Sequence, residues 1–539
     1  MQFKRFLQSF GFAFGLMLSS SFLALPIKAA DKITFVYPPF GQFDVNIRDL
    51  SEFAETGKIS PSLAFYTNQV APEAVQKLRD FLNYPIPVNS IEVYNFLRTD
   101  LGKTILAQLS KVIESPPAQS RPALSGALIT AAADPQGLTF INVLKNYVLP
   151  TIPLDLNVIE KTAEQVEFFF EKTDEIFEQV QAQPLEPSPV KLQDLTQPGP
   201  YKWTTEYLTF TQPDGDVINA VVYLPQNPPK PAPLVVLAPG LNSDVNALIY
   251  AGQHLASQGL AIAALNFPKT DNQQIKAVLA GGASLPKSNE WMTQPQDVTD
   301  LLDNIEEKTQ TLPDWKGKIN TQNVGLLGQS LGGYTSMALG TPAIAWDNLQ
   351  KRCQDLADPD QIILNPAVIW QCTNPQSPPS QMQLKDPRVK AILAINPVTN
   401  PIFNKTLLSQ VTVPLLVIAG SDDIFSPAIP EQLIPFSWLT QGDRYLLLVK
   451  DGTHLSFLDG TSNLPPLLTG PKPELAKTYL KAISLAFFNR YLHQDAQFSA
   501  YLTNSAVAPF GQDPLPLYLL RSLSPDVLNL PIKNRGFEQ

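Results

Sequence analysis

The run Gly328-Gln329-Ser330-Leu331-Gly332-Gly333 constrains this 539-residue chain more than any other. It follows an apolar stretch, Val324 to Leu327, and precedes a helix-like one, Tyr334 to Leu339. A G-x-S-x-G between strand and helix is a turn so tight that the flanking side chains must be nearly absent. It lifts the serine hydroxyl above the sheet and turns the next backbone N–H toward a reacting carbonyl. The bland alternative is an ordinary strand-to-helix turn.

The surrounding pattern supplies the sheet. Tyr201 to Thr211 and Val217 to Leu224 read as strands joined at Asp214-Gly215. Strands and helices then alternate: strand Leu234 to Ala238, helix Ala247 to Gln258, strand Leu260 to Leu265, helix Val298 to Lys308. After the serine turn come strands at Val389 to Ile395, Pro414 to Ala419 and Tyr445 to Val449. Buried strands alternating with helices predict a mostly parallel sheet with right-handed crossovers. Residues 341–385 break this rhythm and read as an insertion above the sheet. Residues 496–539 read as a tail that wraps the surface.

Residues 31–181 read as a mainly helical accessory domain. Leu50, Phe53 and Ala54 share a face that ends at Gly57, and Ser60-Pro61 starts a helix. Val75, Leu78 and Leu82 repeat at helical spacing, and Ser90 is read as the cap of a helix carrying Ile91, Tyr94 and Leu97. Ala123 to Ala133 reads as a helix stopped by Asp134-Pro135. Ile159, Ala163, Val166, Phe170, Thr173, Phe177 and Val180 form one apolar stripe. This is read as a core-facing helix, with a lid beside the site as the alternative. Residues 182–200 hold five prolines and read as a semi-rigid linker.

The first thirty residues read as a secretory signal. Lys4 and Arg5 precede an apolar stretch from Phe6 to Leu25, with cleavage expected near Ala29 or Ala30. An uncleaved N-terminal anchor is the alternative. The net charge of −10 argues against nucleic acid as a partner. Cys353 and Cys372 are the only cysteines. In an exported chain an isolated pair reads as a disulfide closing a loop of about twenty residues, worth ~3 kcal/mol; the other reading is two unpaired buried thiols. Two cysteines and three histidines are too few and too scattered for a zinc site. No metal or cofactor is expected.

A serine is a weak nucleophile until a base takes its proton, and the base needs an acid to hold its tautomer. After Ser330, Pro414 to Ala419 ends in Gly420-Ser421-Asp422-Asp423. Loops at the carboxyl ends of parallel strands are where such sheets place their sites. Asp423 is taken as the acid, with Asp422 as its rival. His454 follows the next apolar strand and takes the place of the base. His254 lies inside a helix ahead of the serine and His493 at the end of a late helix. Both read as packing or surface residues. An oxyanion needs two preorganised N–H donors. They are assigned to Leu331, and to Leu241 in the loop Pro239-Gly240-Leu241.

Six segments carry a resemblance to a known family: Leu237 to Leu241, Gln294 to Leu302, Gly328 to Gly333, Asn396-Pro397-Val398, Gly420 to Pro427 and Gly452 to Phe457. Together they resemble dienelactone hydrolase-like and platelet-activating-factor acetylhydrolase-like serine hydrolases, over roughly residues 200–495. Residues 31 to about 160 resemble a helical domain found before such hydrolases in cyanobacteria. The resemblance implies an α/β-hydrolase fold and metal-free ester hydrolysis by Ser330, Asp423 and His454. Two departures stand out. Pro239-Gly240 occupies the oxyanion loop where relatives often have His-Gly, and serine fills the elbow where dienelactone hydrolases proper use cysteine.

The expectation is therefore an exported serine hydrolase of carboxylic esters, its partner a small-molecule or lipid ester. One alternative is a lipase- or phospholipase-type enzyme, which would add peripheral contact with a membrane. Another is a non-catalytic envelope binding protein that keeps a hydrolase-like domain.

Overall fold

The computed structural model describes residues 29–37, 41–68, 72–212, 215–228, 230–285, 290–358, 362–363, 365–373, 383–464, 466–524 and 528. Residues 1–28 of the expected signal, Asp214 of the expected hairpin turn and the side chains of Ala163 and Val166 lie outside them. The chain divides into two compact units, one within Met1–Arg98 and Leu109–Ile159, the other within Thr99–Gln108 and Glu160–Gln539.

The first unit is mainly helical, but it also holds a three-stranded sheet that the sequence reading missed. Strand β1 (Lys32–Tyr37) lies between β2 (Gly41–Asn46), antiparallel to it, and β3 (Thr151–Leu154), parallel to it. Helices Ile47–Thr56, Pro61–Thr67, Pro117–Ala131 and Phe140–Lys145 bury Phe53, Ala54, Leu63, Ala127 and Ile141 in one core. Ser60 caps its helix as expected, its hydroxyl accepting from Leu63 N–H at 3.2 Å. Ser90 does not cap the next helix. Asn89 does, its side chain accepting from the Ile91 and Glu92 N–H groups while its own N–H donates to Glu92. This is a capping box one residue earlier than expected. On that helix Val93 is buried, whereas Ile91 and Tyr94 are exposed.

The boundary between the units falls inside the helix α1 (Leu156–Gln181), not at its end. The reason is packing: Ile176, Phe177 and Val180 are buried in the apolar core of the second unit. Residues 182–200 are likewise docked rather than free. Leu192 is buried, His254 Nε2 bonds Leu195 O at 2.9 Å, and Gly199 N–H donates to Ser257 Oγ at 2.8 Å.

The second unit is an α/β-hydrolase fold. Its strands are β4 (Trp203–Thr211), β5 (Val217–Pro225), β6 (Ala232–Ala238), β7 (Ala261–Asn266), β8 (Ile319–Gln329), β9 (Val389–Ile395), β10 (Leu415–Gly420), β11 (Arg444–Val449) and β12 (Leu517–Leu520). They run in the order β12-β11-β10-β9-β8-β6-β7-β5-β4. The six strands from β11 to β7 in that order are parallel, and the three flanking pairings, β11–β12, β7–β5 and β5–β4, are antiparallel. The expected surface tail thus contributes an edge strand, four residues long, pairing Leu446 with Leu520.

Every residue of β6 is buried, because helices cover both faces of the sheet. Leu234 and Val236 point into one apolar layer, Val235 and Leu237 into the other. The second layer is filled by helix α2 (Ile249–Ser257) and the first by α3 (Glu290–Thr311) and α4 (Leu331–Ala338). A long helix near the C-terminus, α6 (Pro473–Tyr491), completes the second layer, with α5 (Pro366–Gln371) preceding it in the chain. Among the described residues no helix is long and apolar enough to cross a membrane.

Helix α3 braces α4 through polar groups. Tyr334 OH donates to Trp291 O at 2.6 Å and Thr335 Oγ1 to Gln294 Oε1 at 2.7 Å. The same end of α3 carries two buried acids, Glu290 and Asp297, each pushed up to about 7 by burial. Glu290 Oε1 has no hydrogen-bond partner among the described residues. A carboxyl whose folded pKa exceeds its unfolded one stabilises the fold below the unfolded pKa. That contribution fades as pH rises toward the folded value. For Glu290 the window runs from 4.5 to about 7, worth on the order of 3 kcal/mol. Replacing it by glutamine removes this dependence. Glu290→Gln is expected to gain stability relative to the parent between pH 5 and pH 8, read as the difference in Tm at the two values. An unchanged difference would contradict a protonated Glu290.

Candidate active site

Ser330 sits at the carboxyl end of β8, one residue before α4. Its φ of 55° and ψ of −118° lie in a region that a side chain rarely adopts. Neighbours hold it there. Ser330 N–H donates to Ile395 O at 2.9 Å, and Ser330 O accepts from Tyr334 N–H at 2.9 Å. Glycine is needed two residues on, since a Cβ on Gly332 would stand 2.0 Å from Ala238 O. The strain and the crowding belong together: the turn closes only because α4 starts against the end of β6.

The three candidate residues of the sequence reading meet here. His454 Nε2 lies 2.9 Å from Ser330 Oγ, and His454 Nδ1 lies 2.7 Å from Asp423 Oδ2. All three side chains are buried, Asp423 completely. Asp423 is also the acid that the turn prepares. Its Oδ1 accepts from Phe425 N–H at 2.9 Å and Ser426 N–H at 2.8 Å, which leaves Oδ2 for the imidazole. Asp422 faces outward and accepts from the Ser421 hydroxyl at 2.7 Å. Neither His254 nor His493 joins the cluster: His254 is buried against Leu195, its pKa lowered to about 4 mainly by that burial, and His493 is exposed.

Three residues that the sequence reading gave no role hold this arrangement. Gln329, next to the nucleophile candidate, donates from Nε2 to His454 O at 3.0 Å. Asn396, at the end of β9 with φ 43°, donates from Nδ2 to Thr453 O at 3.1 Å. Its Oδ1 accepts from Gly420 N–H at 3.2 Å. One amide thus ties the end of β10 to the loop that carries His454. Gln432 secures the Asp423 turn from beneath, donating to Pro397 O and Ser426 Oγ, each at 2.8 Å. The Asn396-Pro397-Val398 motif was a signal for the second of these. A lone Gln gives none.

Leu241 and Leu331 both border the pocket in front of Ser330. Leu331 opens α4, where the first N–H groups have no partner within the helix. Gly240 carries the other loop close to the serine: a Cβ there would stand 3.0 Å from Ser330 Cβ. The pocket has a volume of about 600 Å³. Its walls are mostly apolar, with Trp370, Val398, Phe425, Leu455 and Leu464 among them. Phe425 packs its ring 5.4 Å from that of His454. Among the described residues none of α1 is in the wall of this pocket, and Ile176, Phe177 and Val180 of α1 lie in the core of the second unit. No metal-holding group of His, Cys, Asp or Glu exists among the described residues.

Cys353 and Cys372 form a disulfide, with Cα atoms 5.1 Å apart. Cys372 ends α5, and α5 supplies Pro366, Ala367 and Trp370 to the pocket wall. The insertion therefore reaches the site.

No curated protein sequence matches this chain. Residues 29–155 match a family model described as an alpha/beta hydrolase of unknown function, DUF1400. That match spans most of the first unit, with Thr99–Gln108 of the second, and stops before the nine-stranded sheet. The family's description names an alpha/beta hydrolase, and the mostly parallel sheet of the second unit agrees with that fold.

Proposed function

We propose that this chain is a serine hydrolase of carboxylic esters, acting through Ser330, His454 and Asp423. The observation that carries the reading is the unbroken hydrogen-bond chain from Asp423 Oδ2 through both ring nitrogens of His454 to Ser330 Oγ. In this reading Ser330 Oγ attacks the ester carbonyl while His454 Nε2 takes its proton. Asp423 holds Nδ1–H and stabilises the imidazolium. The Leu331 and Leu241 N–H groups hold the oxyanion. Collapse of the tetrahedral intermediate expels the alcohol, which takes the proton back from His454. Water then attacks the acyl-enzyme with His454 as base, releasing the acid and restoring Ser330.

The apolar pocket supports a neutral ester with an apolar portion, which includes short neutral lipids. It gives less support to phosphorylated lipids. Among the described residues no Lys or Arg lines the pocket, whereas Asp244 and Asp459 do. Lys477, which pairs with Asp459, is also engaged by Glu474. An anionic headgroup would therefore enter against like charge. Export through residues 1–30 remains part of this proposal.

Two measurements test it. Ser330→Ala, His454→Ala and Asp423→Asn should each lower kcat by about 10⁴-fold on p-nitrophenyl esters, while Asp422→Asn stays near the parent. Substantial activity in Ser330→Ala would refute the mechanism. On substrates of equal acyl length, a neutral triacylglycerol should be cleaved with higher kcat/KM than the matching phosphatidic acid. The reverse order would favour a phospholipid substrate.

A further inference from the structure

The wall made by α5 is built with unusual care for a six-residue helix. At its start, Asn365 Oδ1 accepts from Ala367 N–H at 3.0 Å, and Asn365 Nδ2 donates to Glu431 Oε1. Glu431 is completely buried, and its other oxygen accepts from Thr399 N–H at 2.6 Å and Asn400 N–H at 2.9 Å. Near its end, Gln371 Nε2 donates to Asn400 O at 3.0 Å, and Cys372 is bonded to Cys353. So one face of α5 is tied to the loop after β9, which itself supplies Val398 to the pocket. The other end is tied back to the helix Trp346–Gln354.

What these ties hold in place is Trp370. Its ring meets that of Trp291, at the start of α3, edge to face with centroids 6.2 Å apart. It is nine-tenths buried and faces the same pocket as Ser330. An indole packed against Trp291 and bordering the pocket resists displacement by a longer substrate group. Flexible side chains do not.

We propose that Trp370 is the specificity-determining wall of the pocket, setting the largest apolar group the ester can carry. Asn365, Glu431 and the Cys353–Cys372 disulfide fix α5 so that this limit is sharp. The inference rests on the esterase reading and deepens it. It predicts opposite effects from opposite changes on one helix. Trp370→Ala opens space, whereas Ala367→Phe, one turn earlier on the same pocket face, fills it.

The experiment compares the parent, Trp370→Ala, Ala367→Phe and the Cys353→Ser/Cys372→Ser pair on two ester series. One lengthens the acyl chain of p-nitrophenyl esters from acetate to dodecanoate, and the other lengthens the alkyl chain of acetates. In the series whose variable end faces α5, Trp370→Ala should raise kcat/KM for the longest esters by roughly tenfold relative to the acetate. Ala367→Phe should lower it by a similar factor. Both effects should appear mainly in KM. Loss of the disulfide should flatten the chain-length profile rather than abolish turnover. An unchanged chain-length order in both series, for both pocket variants, overturns the proposal while leaving the esterase reading intact. A folded parent inert toward every ester overturns the esterase reading itself.

Discussion

The close contact between the start of α4 and the end of β6 is the constraint on which the site depends. Ala238 O occupies the place that a side chain on residue 332 would need. That contact lets β8 turn into α4 within one residue and forces Ser330 into its strained backbone conformation. The cost, of order 1–3 kcal/mol for such a residue, is offset by packing that leaves no other path. Ser330 is bonded to Ile395 O behind it and Tyr334 N–H ahead of it, and α3 locks Tyr334 and Thr335 from the far side. The serine hydroxyl is therefore presented by the fold, not by a mobile loop.

The same logic places the other two side chains. Parallel strands β9, β10 and β11 end at one edge, and each donates a loop. Loops alone would not hold hydrogen-bond geometry. Asn396 spans from β10 to the His454 loop, Gln329 reaches it from β8, and the Asp423 turn satisfies one carboxylate oxygen with its own N–H groups. All of these bonds are buried except the one from Phe425 N–H, which is part-buried. Each broken bond would leave an unpaired polar group at a cost of about 1–3 kcal/mol. The arrangement is preorganised, as electrostatic stabilisation of a developing oxyanion requires.

Much of this was legible in the sequence, for a physical reason. Strands buried on both faces read as apolar runs, so β6, β7, β9, β10 and β11 stand out with bounds close to those observed, while β8 shows only its apolar end, Val324 to Leu327, of Ile319–Gln329. The G-x-S-x-G turn announces itself because only glycine tolerates its crowding. Serine, acid and histidine then follow in chain order. What stayed illegible depends on contacts made across the fold. Strands β1 and β2 are six residues each and partly exposed, so their alternation is lost among neighbouring helices. Strand β12 has four residues and exists because β11 offers it an edge. The choice between Asp422 and Asp423 turns on which carboxylate faces inward after β10. The roles of Gln329, Gln432 and Glu431 depend on partners 6 to 125 residues away. Helix α1 showed its stripe in the sequence, but not that the stripe serves the second core.

The most direct test of the central claim is chemical. In the proposed mechanism His454 draws the proton from Ser330, which borders the open pocket. The folded protein should be treated with a fluorophosphonate and digested, and the adduct located by mass spectrometry. A single adduct on the peptide carrying Ser330 is the predicted result. A folded protein that takes up no label, or takes it up at another serine, would contradict the account.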